Sequence, residues 1–225
     1  MLKQGTINLL NKYGVNYQNI FSICIGKSFL FQKRFINYLG NYSRWDTSIK
    51  EGILKLDDKL FNVEYIGTTS VTDNCWFSSE LENAIPDQYV TLMMNTRKIM
   101  QSLNLQELTE GKILLNGNVN GFNLSMIYMA FAPENVAYFC GSGDTSIYMF
   151  VKQLPSNLFQ KITSVEFPTI VMEIISTFNV NHKLLIEAML CENDIAYQVG
   201  ESSILAKFSE DSINLASRSE EHTSE

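Results

Sequence analysis

The sequence predicts an α+β fold, with antiparallel sheet built from a meander and two hairpins and with helices packed on one face. Several long segments repeat apolar residues at a spacing of three and four, which is typical of an amphipathic helix. Several short segments alternate apolar and polar residues with a period of two, which is typical of a half-buried strand. Glycine, asparagine and aspartate join many of the short segments, and these turn residues favour antiparallel neighbours.

The N-terminal third predicts one long helix followed by a meander. The helical spacing runs from residue 17 to residue 39, and Gly40 is placed to end the helix. An aromatic-led strand follows Arg44, and residues 53–56 and 60–66 then alternate with period two. Turn residues at 50–52 and 57–59 separate these strands, and residues 74–79 predict a fourth strand.

The middle third predicts two helices, a linker and a hairpin. Pro86 starts a helix whose apolar face runs from residue 89 to residue 103, because proline is tolerated in a first turn. Residues 105–120 predict a linker, and the very apolar residues 122–131 predict a second helix that ends before Pro133. Residues 136–140 and 146–151 predict two strands joined by the turn at 141–144.

The C-terminal third predicts further helices and a last set of strands. Pro155 opens a helical region, Pro168 predicts a kink or break, and helical patterns follow at 170–178 and 182–190. Residues 195–199 and 204–208 predict a hairpin, with a third strand at 212–216. Residues 33–66 and 183–216 then share one order of elements, which predicts a duplicated αβββ unit within a single domain at 1–217. A chance match between generic elements is the alternative.

The end of the chain does not look like natural protein sequence. Residues 218–225 are polar, charged and aperiodic, and they resemble the translation of a common sequencing adapter. We therefore expect residues 218–225 to be non-native or disordered, and the natural protein to continue beyond Ser217. A natural charged terminus, frayed as most termini are, is the alternative.

The bulk composition points to a folded protein with an acidic surface. Of the 225 residues, 45% are hydrophobic and 18% are charged, so the chain has enough apolar material to build a core. The formal net charge is −7, and an acidic surface repels phosphate groups. We therefore expect no nucleic acid as a partner and consider a basic protein the easier partner to imagine.

The cysteines and the apolar runs predict a cytoplasmic protein without a metal or another cofactor. The four cysteines lie far apart, with no histidine at metal-ligand spacing, which favours reduced and mostly buried thiols. The first residues lack the continuous apolar stretch of a signal peptide. No run approaches the roughly 18 apolar residues of a membrane span, so we expect no contact with a membrane.

Two small groups of residues are candidates for a functional site. Trp76 with Glu80 and Glu82 places an aromatic ring beside acids at a strand end, which is one form of a recognition edge; a buried core tryptophan is the alternative. Cys140 with His182 offers a thiol and a base, and Asp144 lies in a glycine-rich turn beside that cysteine. The alternatives here are an ordinary hairpin turn and a capping or surface histidine.

Several short matches resemble a bacterial family of uncharacterised domains. They are Trp45-Asp, Gly52-Ile-Leu-Lys-Leu, Phe61-Asn-Val, Ile66-Gly-Thr, Trp76-Phe, Ile85-Pro, Gly121-Phe, Tyr138-Phe, Gly143 and Tyr148. The resemblance covers roughly residues 20–210 and implies α+β architecture and a bacterial origin, with no activity attached. Members of that family carry a Trp-Leu-Trp-Ala-Trp-Ala-Asn segment before a helix, and of its tryptophans only Trp76 remains in this sequence. Their later hairpin begins Tyr-Tyr-Arg, and Cys140 stands here in place of that arginine.

The absence of a catalytic constellation in the sequence favours a non-enzymatic protein-binding or immunity-type module. The alternative is a small enzyme or a small-molecule-binding domain with its site between sheet and helices. A deep polar pocket that contains Cys140 or His182 beside a carboxylate would favour the alternative. A dry core and a flat acidic face would favour protein binding.

Overall fold

The computed structural model describes residues 1–70, 72–82, 84–142, 145–201 and 203–208, and the backbone of residues 212–216. The chain divides into two compact units. Unit 1 is formed by residues 28–160 together with Met1, and unit 2 by residues 2–27 and 161–225. The single domain expected at 1–217 stays a prediction, and the expected artefact at 218–225 lies outside the described residues.

Unit 1 is built around an antiparallel sheet of seven strands. The strands are β1 Trp45–Ser48, β2 Ile53–Leu56, β3 Lys59–Ser70, β4 Cys75–Ser78, β5 Lys112–Leu114, β6 Ala137–Gly141 and β7 Thr145–Val151. The predicted meander is formed by β1, β2 and β3, and the predicted hairpin by β6 and β7. The sequence predicts a linker where β5 forms, because three residues are too few for an alternation to be visible.

The long strand β3 organises this sheet. Its first half, up to Asn62, pairs with β2, while residues from Val63 onwards pair with β7 and those from Gly67 onwards also pair with β4. A bulge between Tyr65 and Gly67 shifts the register against β7, as bulges do where a strand bends. Gly67 is required there, because a Cβ atom at this position would collide with the indole ring of Trp76.

Three helices accompany the sheet of unit 1. They are the part of α2 (Tyr17–Leu39) from residue 28 onwards, α3 Thr91–Ser102 and α4 Gly121–Phe131. The side chain of Asn120 caps α4 by accepting a 2.9 Å hydrogen bond from the backbone N–H of Asn123. The helix expected at Pro86 begins later, since residues 87–89 form a 3₁₀ turn and α3 starts only at Thr91; Asn83 lies outside the described residues.

The core of unit 1 occupies both faces of the sheet. One face carries buried side chains of β2, β3, β6 and β7 together with Phe35 and Leu39 from α2. The other face carries Trp76 and Tyr148, against which Tyr128 of α4 packs. Helices α3 and α4 contact the sheet, and the α+β class with antiparallel strands is confirmed.

Unit 2 combines helices with a small sheet. It contains α1 Gln4–Tyr13, the first part of α2, α5 Glu166–Thr177 and α6 His182–Glu192. Strands β8 Ala196–Val199, β9 Ser203–Lys207 and β10 Ser212–Ala216 form an antiparallel sheet in the order β10-β9-β8. Pro168 is the third residue of α5, and the helix continues through it, because a first-turn N–H has no partner within the helix. The prediction of a kink or break at Pro168 is therefore wrong, because this proline lies in the first turn of a continuous helix.

The two segments behind the predicted duplication do share an order of elements. Residues 33–66 and 183–216 each contain a helix followed by a three-stranded antiparallel meander. At the constant offset of these two ranges, Leu54 aligns with Ile204 and Leu56 with Ala206, and all four side chains are buried. Alternate residues of a strand face the same side, so the two middle strands bury equivalent faces. The duplication stays a prediction.

The longest helix, α2, has 23 residues and carries Lys27, Gln32, Lys33 and Arg34 along its length. Within the part of the chain that the structure describes, no helix combines the length and the apolar character that crossing a membrane requires.

Candidate functional site

Trp76 lies in the core of unit 1. Its side chain is 0% exposed, stacks on Tyr128 with ring centroids 5.9 Å apart, and contacts Tyr148 at 5.1 Å. The indole N–H has no hydrogen-bond partner among the described residues. Trp76 therefore takes the second of the two roles predicted for it, that of a core tryptophan, and it offers no surface to a partner.

Glu80 and Glu82 lie near the surface beside this core. The Glu80 carboxylate forms an ion pair with Arg97, whose guanidinium also donates to the carbonyl oxygen of Thr109. Glu82 accepts a long hydrogen bond of 3.4 Å from the hydroxyl of Thr68. The charge of Glu80 is thus neutralised within unit 1, and a role for these two acids in recognition stays a prediction.

Cys140 and His182 are not brought together within one unit. Cys140 belongs to β6 in unit 1, and His182 is the first residue of α6 in unit 2. Burial raises the pKa of the Cys140 thiol, with the opposing Tyr148 as a hydrogen-bond partner, so the thiol stays protonated at neutral pH. A protonated thiol without a base is a poor nucleophile. Asp144 lies outside the described residues.

His182 occupies an exposed position at the start of α6. The preceding residue, Asn181, caps the helix by accepting a 3.1 Å hydrogen bond from the backbone N–H of Leu184. His182 therefore lies in the first turn of a capped helix, close to the capping and surface role that the sequence predicts as the alternative to catalysis.

A first groove in unit 1, here called the α3 groove, lies beside α3 and has a volume of about 620 Å³. Leu81 and Met94 are exposed apolar residues of its lining. Its polar lining includes Glu80, Asp87, Asn95 and Lys98. Of the predicted site residues that the structure describes, only Glu80 contributes to this groove.

A second groove in unit 1, here called the Trp45 groove, has a volume of about 580 Å³ and lies along β1 and the ends of β2. Its lining residues come from the segment before β1, from β1 itself, from β2 and from the following turn: Ser43, Arg44, Trp45, Asp46, Lys55, Asp57 and Asp58. Three carboxylates face two cationic side chains in this set, so the groove is slightly acidic. Neither groove contains Cys140 or His182.

Trp45 is the aromatic residue among the described lining residues of the Trp45 groove, and it packs on the same ring as the nearby Tyr42. The indole of Trp45 is 38% exposed, lies 5.8 Å from the ring of Phe139, and covers Gly141, where a Cβ atom would collide with it. Tyr42 is also exposed, and its ring lies 6.0 Å from that of Phe139. Trp45 and Tyr42 are therefore held against one buried ring while they remain accessible at the surface.

Asp57 fixes one wall of the Trp45 groove. Its carboxylate accepts hydrogen bonds from the backbone N–H of Ser43 at 3.0 Å and from that of Arg44 at 3.0 Å. The bond from the Ser43 backbone, supported by the bond from the Arg44 backbone, lowers the pKa of Asp57, so this carboxylate stays charged at neutral pH. Asp57 adopts a positive φ of 49°, a backbone conformation that aspartate tolerates in turns.

The sequence predicts neither the Trp45 groove nor the buried acids of the two units. Trp45 and Asp57 appear in the sequence as the start of a strand and as a turn, and an aromatic residue beside acids was the signal that could have drawn attention to them. In unit 1, the buried carboxylate of Glu64 accepts hydrogen bonds from the backbone N–H of Leu92 and from Lys152, each at 2.5 Å. Glu64 thereby supports the first turn of α3, which is a structural role.

Unit 2 has its own buried acid, Glu187, whose side chain is 2% exposed. It accepts hydrogen bonds from Lys12 at 3.0 Å and 3.1 Å and from the hydroxyl of Tyr13, which joins α1 to α6. Burial, together with the hydrogen bond to Glu187, raises the pKa of Tyr13. These contacts account for Glu187 as a structural residue.

Across the described ranges, no three His, Cys, Asp or Glu side chains lie close enough together to hold a metal ion. The expected absence of a metal and of other cofactors stays a prediction.

Residues 18–154 match the model of one protein family, which is described as a family of unknown function (DUF6882). No curated protein and no solved structure matches the chain. The family match covers more than half of the chain and includes every lining residue of both grooves. The predicted resemblance to an uncharacterised domain family is confirmed, and the match ends at residue 154, earlier than the expected extent.

Proposed function

The chain belongs to the DUF6882 family, whose function is unknown, and we propose that it is a non-enzymatic module that binds a basic segment of another protein in the Trp45 groove. The observation that carries the proposal is the exposure of Trp45 and Arg44 in a groove that three aspartates also line, with the exposed ring of Tyr42 packed on the same Phe139 as Trp45. Tryptophan, tyrosine and arginine are the residue types that dominate binding energy in protein interfaces. The proposal commits this surface to protein recognition.

Charge supports a basic occupant. The groove has one more carboxylate than cationic side chains, and the whole chain carries a formal charge of −7. The hydrogen bonds from Ser43 and Arg44 keep Asp57 ionised, and its neighbour Asp58 adds a second carboxylate to the same wall. Lysine or arginine side chains of a partner gain from this field, and such complementarity favours fast and selective association.

The placement of the other candidates also supports protein binding over catalysis. A polar pocket that contains Cys140 or His182 beside a carboxylate would favour an enzyme. Neither the α3 groove nor the Trp45 groove contains either residue. The raised pKa of Cys140 removes the thiolate that a nucleophile requires. Both features fit a binding module.

One observation favours the alternative function, a small-molecule-binding domain. The α3 groove has a volume of about 620 Å³, which lies within the range of ligand sites, and its lining mixes apolar residues with a few polar groups. Leu81 and Met94 are, however, exposed at its surface, which is more typical of an adaptable contact surface.

The chain offers a built-in fluorescent reporter for the test. It contains two tryptophans, of which Trp45 is exposed and Trp76 is fully buried. We would titrate the protein with an octapeptide that alternates valine and lysine, and with a counterpart that alternates valine and glutamate, at low and at physiological salt. The proposal expects a saturable change in tryptophan emission with the lysine peptide alone, weakened by salt.

The variant Trp45→Phe is the matched control, because it keeps an aromatic ring on Phe139 and removes the reporter. The emission change should disappear in this variant, while binding followed by anisotropy of a labelled peptide persists. A lysine peptide that binds without changing the emission of Trp45 would place the contact elsewhere. Equal responses to the lysine and the glutamate peptide would contradict the proposal.

We also propose a cellular role for this binding, in the bacterial cytoplasm. A bacterial cytoplasmic protein that inhibits a basic toxin, as an immunity-type module does, would use the same acidic and aromatic surface. This form predicts that the partner is a basic protein and that nucleic acid does not compete for the groove.

A further inference from the structure

The outer edge of β1 carries backbone groups that have no hydrogen-bond partner in the described part of the chain. In the register of β1 with β2, Asp46 lies opposite Lys55 and Ser48 lies opposite Ile53. The backbone N–H of Asp57 donates to the carbonyl oxygen of Arg44, which places the hydrogen-bonded rungs at residues 44, 46 and 48. In an antiparallel ladder the intervening residues, Trp45 and Thr47, direct their backbone groups away from β2.

These outward groups are available to a further strand. Within the described residues, the N–H and the carbonyl of Trp45 and the carbonyl of Thr47 have no hydrogen-bond partner. The N–H of Thr47 is held at 2.8 Å by the carboxylate of the neighbouring Asp46, a local bond that an incoming carbonyl would replace. An added strand can therefore form two consecutive hydrogen-bonded pairs with β1, one at Trp45 and one at Thr47.

The edge of β6 provides an internal comparison. There the backbone N–H and carbonyl of Tyr138 are both satisfied by the side chain of Gln32, at 3.0 Å and 2.9 Å. A helix side chain thus closes the edge of β6, as proteins do to prevent unwanted strand pairing. Residues 41–46 around the edge of β1 are exposed, and no such cover lies over them within the described residues.

We propose that the protein partner binds as an additional antiparallel strand on the outer edge of β1, which rests on the proposed function and specifies its geometry. Side chains alternate between the faces of a strand, so the residue opposite Asp46 shares the solvent face with that carboxylate. The residue opposite Trp45 lies on the face of the indole ring. The partner segment therefore carries a lysine or arginine opposite Asp46 and an apolar residue opposite Trp45.

The test uses backbone methylation of the valine–lysine octapeptide on the full chain. In the proposed geometry the valines lie opposite Trp45 and Thr47, and their N–H groups donate to β1. N-methylation of the two central valines should weaken binding by about tenfold or more, because it removes a donor and adds bulk at the interface. N-methylation of the two central lysines, whose N–H groups point to solvent, should change affinity by less than about threefold.

The outcomes separate this inference from the function on which it rests. If the unmethylated lysine peptide does not bind, the proposed function itself fails. If it binds and the two methylated series are equally weakened, or the lysine series is weakened more, strand addition to β1 is wrong while protein binding stands. Alternating sensitivity is the result expected of an added strand, because every second residue of such a strand directs its N–H group towards the edge that it joins.

A charge variant tests the register. Asp46→Asn should weaken binding of the lysine peptide by about twofold to fivefold, as expected for the loss of one cross-strand charge pair. The matched control is Glu110→Gln, which removes one exposed carboxylate of unit 1 that does not line the Trp45 groove. Equal losses in both variants would mean that only the net charge is recognised, and would overturn the register.

Discussion

The two tryptophans of the chain lie in opposite environments of the same unit. Trp76 is enclosed by Tyr128 and Tyr148, and the absence of a side chain at Gly67 makes room for its indole. Trp45 is held on one side by Phe139 and remains open on the other. A single residue type therefore belongs to the core in one place and stays accessible at the surface in the other.

Truncation of the buried tryptophan should be severe. Trp76→Ala leaves a cavity between β4 and α4, and we expect the free energy of unfolding of unit 1 to fall by about 3–5 kcal/mol. Urea titration followed by far-ultraviolet circular dichroism measures this change. Leu60→Ala is the control, because the side chain of Leu60 is 66% exposed and its loss should change stability by less than about 0.5 kcal/mol. Similar losses in both variants would argue against the buried position of Trp76.

The buried carboxylate of Glu64 should matter through its hydrogen bonds. Glu64→Gln removes the charge that Lys152 and the first turn of α3 contact, and we expect a loss of roughly 2–4 kcal/mol. Glu134→Gln is the matched variant, since Glu134 contacts the same lysine at 3.4 Å but is half exposed. Its loss should stay below about 1 kcal/mol. Chemical denaturation of the three proteins at one pH gives the comparison.

At the scale of elements, the carboxylate of Asp57 connects the turn after β2 with the segment that enters β1. Its pKa is lowered in the folded protein, so it stabilises the fold above the ordinary aspartate pKa of about 3.9, and that contribution is lost as the pH falls through the lower folded value. The entry into β1, and with it the Trp45 groove, is therefore expected to loosen in acid rather than near neutral pH.

The variant Asp57→Asn tests this connection. Asparagine tolerates the positive φ of this position, so the substitution removes the charge and leaves the backbone conformation intact. The variant should be less stable than the wild type at neutral pH, and the difference should shrink as the pH falls below about 3.9. Asp58→Asn, which removes the neighbouring charge, should show no comparable loss. A difference that is independent of pH would contradict the role of the ionised carboxylate.

The elements differ in how far the sequence predicts them. The stripe of α2 and the alternation of β2 and β3 are long enough to be recognised, and the structure contains these elements. The bulge of β3 and strand β5 depend on pairing partners that are distant in sequence, so no local pattern reveals them. Glu64 looks like a solvent-facing residue because it alternates with Val63 and Tyr65, yet α3 covers its face of the sheet.

The candidate site shows the same limit. The sequence draws attention to Trp76 because acids follow it, although burial of that ring depends on α4 and β7, which come much later in the chain. The Trp45 groove arises from the pairing of β1 with β2, and each of its residues has an ordinary role when considered alone. Composition predicts an acidic surface, and the pairing of β1 with β2 explains which side chains line the Trp45 groove.

At the scale of the whole molecule, the two grooves belong to unit 1, and unit 2 has a buried carboxylate of its own. Unit 1 contains both grooves, and the family match, which ends at residue 154, includes most of it. Unit 2 contains its own buried acid, Glu187, which joins α1 to α6. The proposed binding activity is therefore assigned to unit 1, and the stability of unit 2 becomes a separate quantity that can be changed on its own.

Glu187→Gln tests that assignment. The substitution removes the ion pair with Lys12 and weakens the bond from Tyr13, so we expect unit 2 to lose roughly 1–3 kcal/mol. Hydrogen exchange followed by mass spectrometry should show faster exchange in α1 and α6. The affinity for the valine–lysine peptide and the emission change of Trp45 should stay within about twofold of the wild type, because every lining residue of the Trp45 groove lies in unit 1. A large loss of peptide binding in this variant, with the exchange of β1 unchanged, would mean that residues of unit 2 contribute to recognition.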